Sequence, residues 1–156
     1  MDAHHVFGHW SHVREGLVEA LGMLSDEQLS FAPGVEREGR EPLRSLGEVA
    51  VHIAGSEAGW FRHAISGELD GWPPAPAAED HRTVASIQAL LRQVHEGTVA
   101  YLKALDVDEL DETFALPWGP EVTRRWAIWH VLEHEIHHRG EIYLMLGLMG
   151  MEAPDV

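Results

Sequence analysis

The chain contains no cysteine. That absence excludes disulfides, cysteine-ligated zinc and a protein thiol as nucleophile, so any thiol chemistry must draw on a thiol from outside. Basic residues are also scarce: 11 Lys and Arg stand against 26 Asp and Glu, for a net charge of -15. Such a surface repels phosphate backbones and anionic lipid, and we expect neither nucleic acid nor a membrane as partner. No segment reaches the roughly 18 apolar residues of a membrane span, and the opening MDAHHVFGHWSH has neither the basic end nor the apolar run of a signal peptide. These absences lead us to expect a soluble, cytoplasmic protein. At 156 residues the chain fits one domain, residues 1–156, long enough to bury its own core.

Sustained period-two alternation, the mark of half-buried strands, is missing, and so are internal repeats. Helical spacing is present instead, in four segments. The first runs from about Ala3 to Leu24 with Val6, Trp10, Val13, Leu17 and Leu21 on one side, and SDEQLSFAPG closes it. The second opens at Ser45 and Glu48, an S-x-x-E capping box, and carries Leu46, Val49, Ile53, Trp60 and Ala64 on its inner face. A Pro-rich linker, SGELDGWPPAPAAED, leads to the third, from about Thr83 to Leu105, which buries Val84, Ile87, Leu91, Val94, Thr98, Tyr101 and Leu105. DVDELDETFALPWGPEV reads as a loop, after which Thr123 caps a fourth and longest helix reaching about Met149. Four such helices with long middle connections predict an all-α four-helix bundle.

Histidine is abundant, with 12 residues, and His134 to His138 spell HEIHH. As H-E-x-x-H this is the zinc-protease signature; as H-x-x-x-H it is two imidazoles on one helical face. Zinc proteases take a third ligand from well downstream. Here the chain offers Glu141 and Glu152 and no strand to hold a peptide, which makes the protease match accidental. At about 100° per residue His130, His134, His138, Glu141, Met145, Ala127 and Val131 share one face, read as inward, while Glu135 falls off it. Residues four apart on a helix can ligate one cation, so His134 with His138, or His130 with His134, forms a candidate pair. An isolated pair is more often two hydrogen-bonded core histidines. Three in a row on an apolar face favour a metal, since each buried imidazole must otherwise find partners for two nitrogens. His52, at the flank of the second helix's apolar stripe, is a third candidate that spacing leaves undecided.

Other residues compete for attention. His5, His9 and His12 share a face near the N-terminus and form a rival cluster, ranked second because terminal turns fray. Glu57 lies mid-stripe on the second helix and needs a partner, a His or Trp, or else orients a ligand. Trp10, Trp60 and Trp126 read as core or pocket walls. On the fourth helix Trp129, Leu132, Ile136 and Tyr143 make a second apolar stripe nearly opposite the histidines, from which we expect a homodimer; the alternative is that the GWPPAPAAED loop covers it.

HIAGSEAGWF on the second helix, together with HVLEHEIHHRGEIYLMLGLMG near the C-terminus, resembles the DinB/YfiT-like family of metal-binding four-helix bundles, with helix order and loop placement agreeing over nearly the whole chain. The resemblance implies a divalent metal, zinc or nickel, on His52, His134 and His138. It further implies an enzyme that transfers a low-molecular-weight thiol such as bacillithiol to a small electrophile, both small molecules being its partners. On the residues themselves, His130 or Glu141, one turn from the ligands, can accept the released proton, Trp60 shelters the electrophile from water, Glu57 orients a ligand where no His or Trp claims it, and Arg139 binds a carboxylate of the thiol, its more common role being a salt bridge to a neighbouring acid. Where the family often has Gln after HHRG, this chain has Glu141. The alternatives are a metal-dependent hydrolase using Glu141 or Glu57 as base, or a non-enzymatic metal-binding stress-response protein.

Overall fold

A computed structural model describes residues 1–156. The expected first helix is split: α1 (His4–Phe7) and α2 (Trp10–Gly22) are interrupted at Gly8 and His9, and Val6, expected inside, is 46% exposed. The remaining helices start where side chains cap them. Ser45 Oγ accepts from the Glu48 amide while the Glu48 carboxylate accepts from the Ser45 amide at 2.7 Å, opening α3 (Leu46–Gly59). Thr83 and Thr123 accept from the Ser86 and Trp126 amides, each at 3.1 Å, and open α4 (Val84–Ala104) and α5 (Arg124–Leu148). These four long elements are the expected all-α bundle.

Two local features depart from the sequence reading. The chain leaves α3 through a π-helical turn, Trp60–Ile65, closed by the Ser66 amide donating to the Phe61 carbonyl at 2.9 Å. Such turns widen the helix and re-aim the side chains that follow. The segment expected to be a plain loop before α5 holds a 3-10 turn, Val107–Asp111, and a small hairpin, β1 (Thr113–Ala115) with β2 (Glu121–Thr123), Phe114 opposite Val122. Strands of three residues are too short to show periodicity. Their turn, Leu116–Pro120, presents Trp118.

The core has two apolar clusters, one built around Leu17, Leu21, Ile53, Ile87 and Ile142, the other around Trp10, Phe61, Leu102, Leu110 and Ile128. Between them lies a buried polar layer to which every long helix contributes: Arg14, Glu57, His95, Thr98 and Glu135, each at most 7% exposed. Arg14 donates through Nε to Glu135 at 2.8 Å and through Nη2 to Glu57 at 2.5 Å, and through Nη1 to the Leu91 carbonyl at 2.6 Å. Trp10 Nε1 donates to Glu135 as well, and His95 Nδ1 pairs with Glu57 at 3.2 Å. Burial alone pushes the Glu57 carboxyl up, but the Arg14 charge and the hydrogen bond from His95 outweigh it and hold the group ionised below its usual range.

This layer corrects the assignment of faces on α5. Glu135, expected off the inward face, is in the core, and the buried row runs Ala127, Ile128, Val131, Leu132, Glu135, Ile142, Met145 and Leu146. The histidines therefore sit at the edge of that row, half-buried, rather than at its centre. A carboxylate inside an apolar row looks like a solvent-facing position until its cationic partner, 121 residues away in sequence, is seen. Leu132, placed on the outer stripe, is buried, whereas Trp129 and Ile136 remain 52% and 40% exposed. The Pro-rich loop does not cover that stripe. It lies on α3, so close that a Cβ on Gly59 would stand 2.3 Å from the Trp72 ring and one on Gly55 2.8 Å from Pro76.

Candidate metal centre

Because α3 and α5 pack side by side, the edge of α5 that carries His134 and His138 meets the flank of α3 that carries His52. His52 Nε2 is 3.1 Å from His134 Nε2, and His138 Nε2 is 3.2 Å from His134 Nε2. The three nitrogens point at one another. Two ligands on one ion at about 2.0–2.1 Å in tetrahedral arrangement lie roughly 3.3 Å apart, so the observed spacing suits a shared divalent ion. The far side of His138 supports the same orientation: its Nδ1 pairs with Glu141 at 2.8 Å, which leaves Nε2 as the free lone pair. The residues present thus fit a metal, and the chain can hold one on His52, His134 and His138.

Electrostatics favour the ligand form. Burial, followed by the Arg44 charge and His138, pushes His52 down to about 4; burial and the neighbouring His138 and His52 push His134 down to about 4. Both imidazoles are therefore neutral at neutral pH, with no proton to displace. Glu141 is pulled below its usual range: burial works against this, but the hydrogen bond and charge of His138 and the nearby His137 prevail.

The other expected site residues fall in different places. His130 is one turn before His134, its ring 4.9 Å from Trp60 and stacked at 5.1 Å on Trp126, so His130 and Trp60 border the histidine cluster. Glu57 does not reach it; bonded to Arg14 and His95 in the core, it has no access to a proton there. Arg139 does not reach it either. Its guanidinium lies 5.3 Å over the Tyr143 ring and beside Gly16 of α2, on the opposite side of α5 from His52. The rival N-terminal histidines do not converge: His5 pairs with Asp2 at 2.9 Å, and the His9 and His12 rings are 5.6 Å apart. A second, more exposed group, His137, His138 and Glu141, also brings three ligand atoms together.

Sequence spacing missed Arg44, Trp72 and Trp118. Arg44 and Trp72 share with His52 and Ser56 a depression of about 370 Å³, and Trp118 packs 5.2 Å from Trp60. Two tryptophans in turn sequences, GWPP and PWGP, were the available signal, since turns rarely need so large an apolar group.

The family model described as DinB family matches residues 1–156. YjoA of Bacillus subtilis strain 168 is 32% identical over 148 residues, covering 93% of this chain and 89% of that protein, and YizA of the same organism is 30% identical over 93 residues, 58% of this chain and 56% of that one. Among solved structures, the DinB-like YjoA of Bacillus subtilis superposes with a TM-score of 0.70 at 26% identity, covering 95% of this chain and 94% of that chain. A DinB-like protein from Bacillus cereus ATCC 10987 superposes with a TM-score of 0.69 at 23% identity, covering 96% and 94%. With a whole-chain match to the family model, a full-length relative and the shared bundle all agreeing, this chain belongs to the DinB family.

Proposed function

We propose that this protein is a metal-dependent transferase that joins a low-molecular-weight thiol, bacillithiol or a similar compound, to a small electrophile, with zinc or nickel on His52, His134 and His138. The observation that carries the reading is the convergence of three Nε2 atoms at 3.1 and 3.2 Å on the bundle flank, in a chain with no thiol of its own. A divalent ion bound there supplies Lewis acidity, which favours the thiolate form of a thiol at neutral pH.

The chain's own residues do the rest. His52 and His134, held neutral, keep their lone pairs directed at one point; Glu141 fixes the tautomer of His138 by accepting from Nδ1. The thiol proton passes to a ring nitrogen of His130, one turn from His134, and from there to solvent; as the sulfur forms its bond to the electrophilic carbon, that carbon's bond to its leaving group breaks and the group departs with the bonding electron pair. Arg44, beside His52, provides the positive charge for an anionic thiol that Arg139 is too far round the helix to give. The hydrolase reading asks for a free carboxylate as base. Glu57 and Glu135 are both committed to Arg14, and Glu141 is committed to His138 and His137, which favours the transferase.

The experiment is to load metal-stripped protein with one equivalent of zinc or nickel and supply bacillithiol, mycothiol, glutathione or coenzyme A with a simple electrophile. Conjugate forming faster than with the stripped protein is the expected result. Ester or amide hydrolysis without any conjugate would transfer the case to the hydrolase, and metal uptake without turnover to a non-enzymatic metal-binding role. We further propose that two copies pair through the exposed part of α5.

A further inference from the structure

Four of the six tryptophans gather on one side of the histidine cluster, and they come from separate parts of the chain. Trp60 opens the π-helical turn, Trp72 lies in the Pro-rich loop, Trp118 in the hairpin turn and Trp126 in the first turn of α5. Trp60 stands edge-to-face with Trp118 at 5.2 Å and 80° and with Trp72 at 6.3 Å and 82°, while Trp72 and Trp118 are 5.8 Å apart. His63 sits 6.3 Å from Trp72 and 6.2 Å from Trp118, fixed by its Nδ1 bond to the Leu69 carbonyl at 2.9 Å. The gathering is built into the fold. Gly59 has no side chain where the Trp72 indole rests, and prolines follow Trp72 at once.

These rings are not core. Trp72, Trp118 and Trp126 are 46%, 53% and 46% exposed and belong to neither apolar cluster. Leaving that much indole in water is unfavourable, and no packing need explains a tryptophan at the tip of a hairpin. The cluster also abuts the candidate site. Trp60 touches His130, one turn from His134, and Trp72 lines the same depression as His52.

From this juxtaposition we propose that Trp60, Trp72 and Trp118 are the subsite for the electrophile, and that they take a flat, uncharged aromatic ring. Indoles held at right angles offer a face and an edge at one corner, the two arrangements in which aromatic rings attract. A puckered ring of the same size meets neither. A cation is disfavoured by the same geometry: the three indoles meet one another edge to face at 5.2–6.3 Å and do not ring a gap with parallel faces, so they do not make the aromatic cage that takes an ammonium. The term electrophile rests on the thiol-transfer reading, whereas the binding of an aromatic ring here does not.

Binding can be measured without chemistry by following the six indole Nε1–H resonances during titration with benzyl alcohol, cyclohexylmethanol and choline, using metal-free and zinc-loaded protein in parallel. Saturable shifts of Trp60, Trp72 and Trp118 with benzyl alcohol, not of Trp10 or Trp129, are expected in both forms. Affinity for cyclohexylmethanol should be weaker by about tenfold, the equivalent of about 1.4 kcal/mol. Trp118→Ala should lose benzyl alcohol binding by a similar factor while still taking one zinc; Trp118→Leu, which keeps an apolar side chain, should lose it too. Equal binding of the saturated alcohol, tighter binding of choline, or no saturable shift overturns the proposal. Should the protein take no metal yet bind benzyl alcohol, the subsite stands and the transferase falls; should it conjugate thiols to aliphatic electrophiles without these shifts, the reverse holds.

Discussion

Glu135, the acid inside HEIHH, accepts from both Nε and Nη2 of Arg14 at 2.8 Å while 1% exposed. The same guanidinium also holds Glu57, so one cation neutralises two carboxylates in the middle of the bundle. Removing it leaves two uncompensated buried charges. We expect Arg14→Met to destabilise the protein by about 3–5 kcal/mol, measured by urea unfolding. Glu135→Gln should lower stability by a smaller amount and keep full metal uptake. A Glu135→Gln variant as stable as the parent would mean that the pairing of Glu135 with Arg14 contributes nothing to the fold.

Glu141→Gln tests the support behind His138. Gln can still meet Nδ1, but without the charge that makes imidazole a stronger ligand. We expect metal affinity to fall by about 10–100-fold with the stoichiometry at saturation kept. His134→Ala and His138→Ala should abolish stoichiometric uptake, and His137→Ala should not. Competitive titration with a chromophoric chelator measures all four.

The metal-free protein should lose stability on mild acidification. His52 and His134 have folded values of about 4 against an ordinary 6.5. Between those limits the unfolded chain binds protons that the folded one refuses, so the stability of the fold is full above pH 6.5 and declines as the pH falls toward 4. Urea midpoints at pH 7.5, 6 and 5 give the test. His52→Ala combined with His134→Gln should flatten this slope; an unchanged slope would locate it elsewhere.

Gly59→Ala adds a good helix former, worth up to about 1 kcal/mol, at a place where its methyl meets the Trp72 ring. Because Trp72 sits on a loop and is half exposed, the ring should yield rather than the helix. We expect overall stability within about 1 kcal/mol of the parent, with the Trp72 indole resonance moved toward its solvent position. Marked unfolding would mean that the loop cannot give way.

Trp129 and Ile136 line a groove of about 330 Å³ with Val6, Phe7, Val13 and Leu132. If two copies meet there, light scattering at micromolar concentration should give about twice 17.4 kDa. Trp129→Glu should then weaken the pair by about 30-fold or more, as loss of a central tryptophan does at other interfaces. A parent protein of monomer mass removes the proposal.

The sequence by itself determined the number of long helices, their capped starts at Ser45, Thr83 and Thr123, and the pair His134 and His138, because caps and four-residue spacing are local and leave a pattern within a few residues. Only the tertiary structure decided which side of α5 faces the core, since that depends on Arg14 of α2 compensating Glu135 of α5. The same holds for His52, whose place at the flank of its stripe meant nothing until α3 and α5 were set side by side. Arg139 and Glu57 carried suitable chemistry, but the packing turned one toward α2 and closed the other into the core. Trp72 and Trp118 gave no periodic signal at all, for they lie in turns. Their meeting with Trp60 required a π-helical turn, a glycine and a hairpin at once, and no window of sequence contains all three.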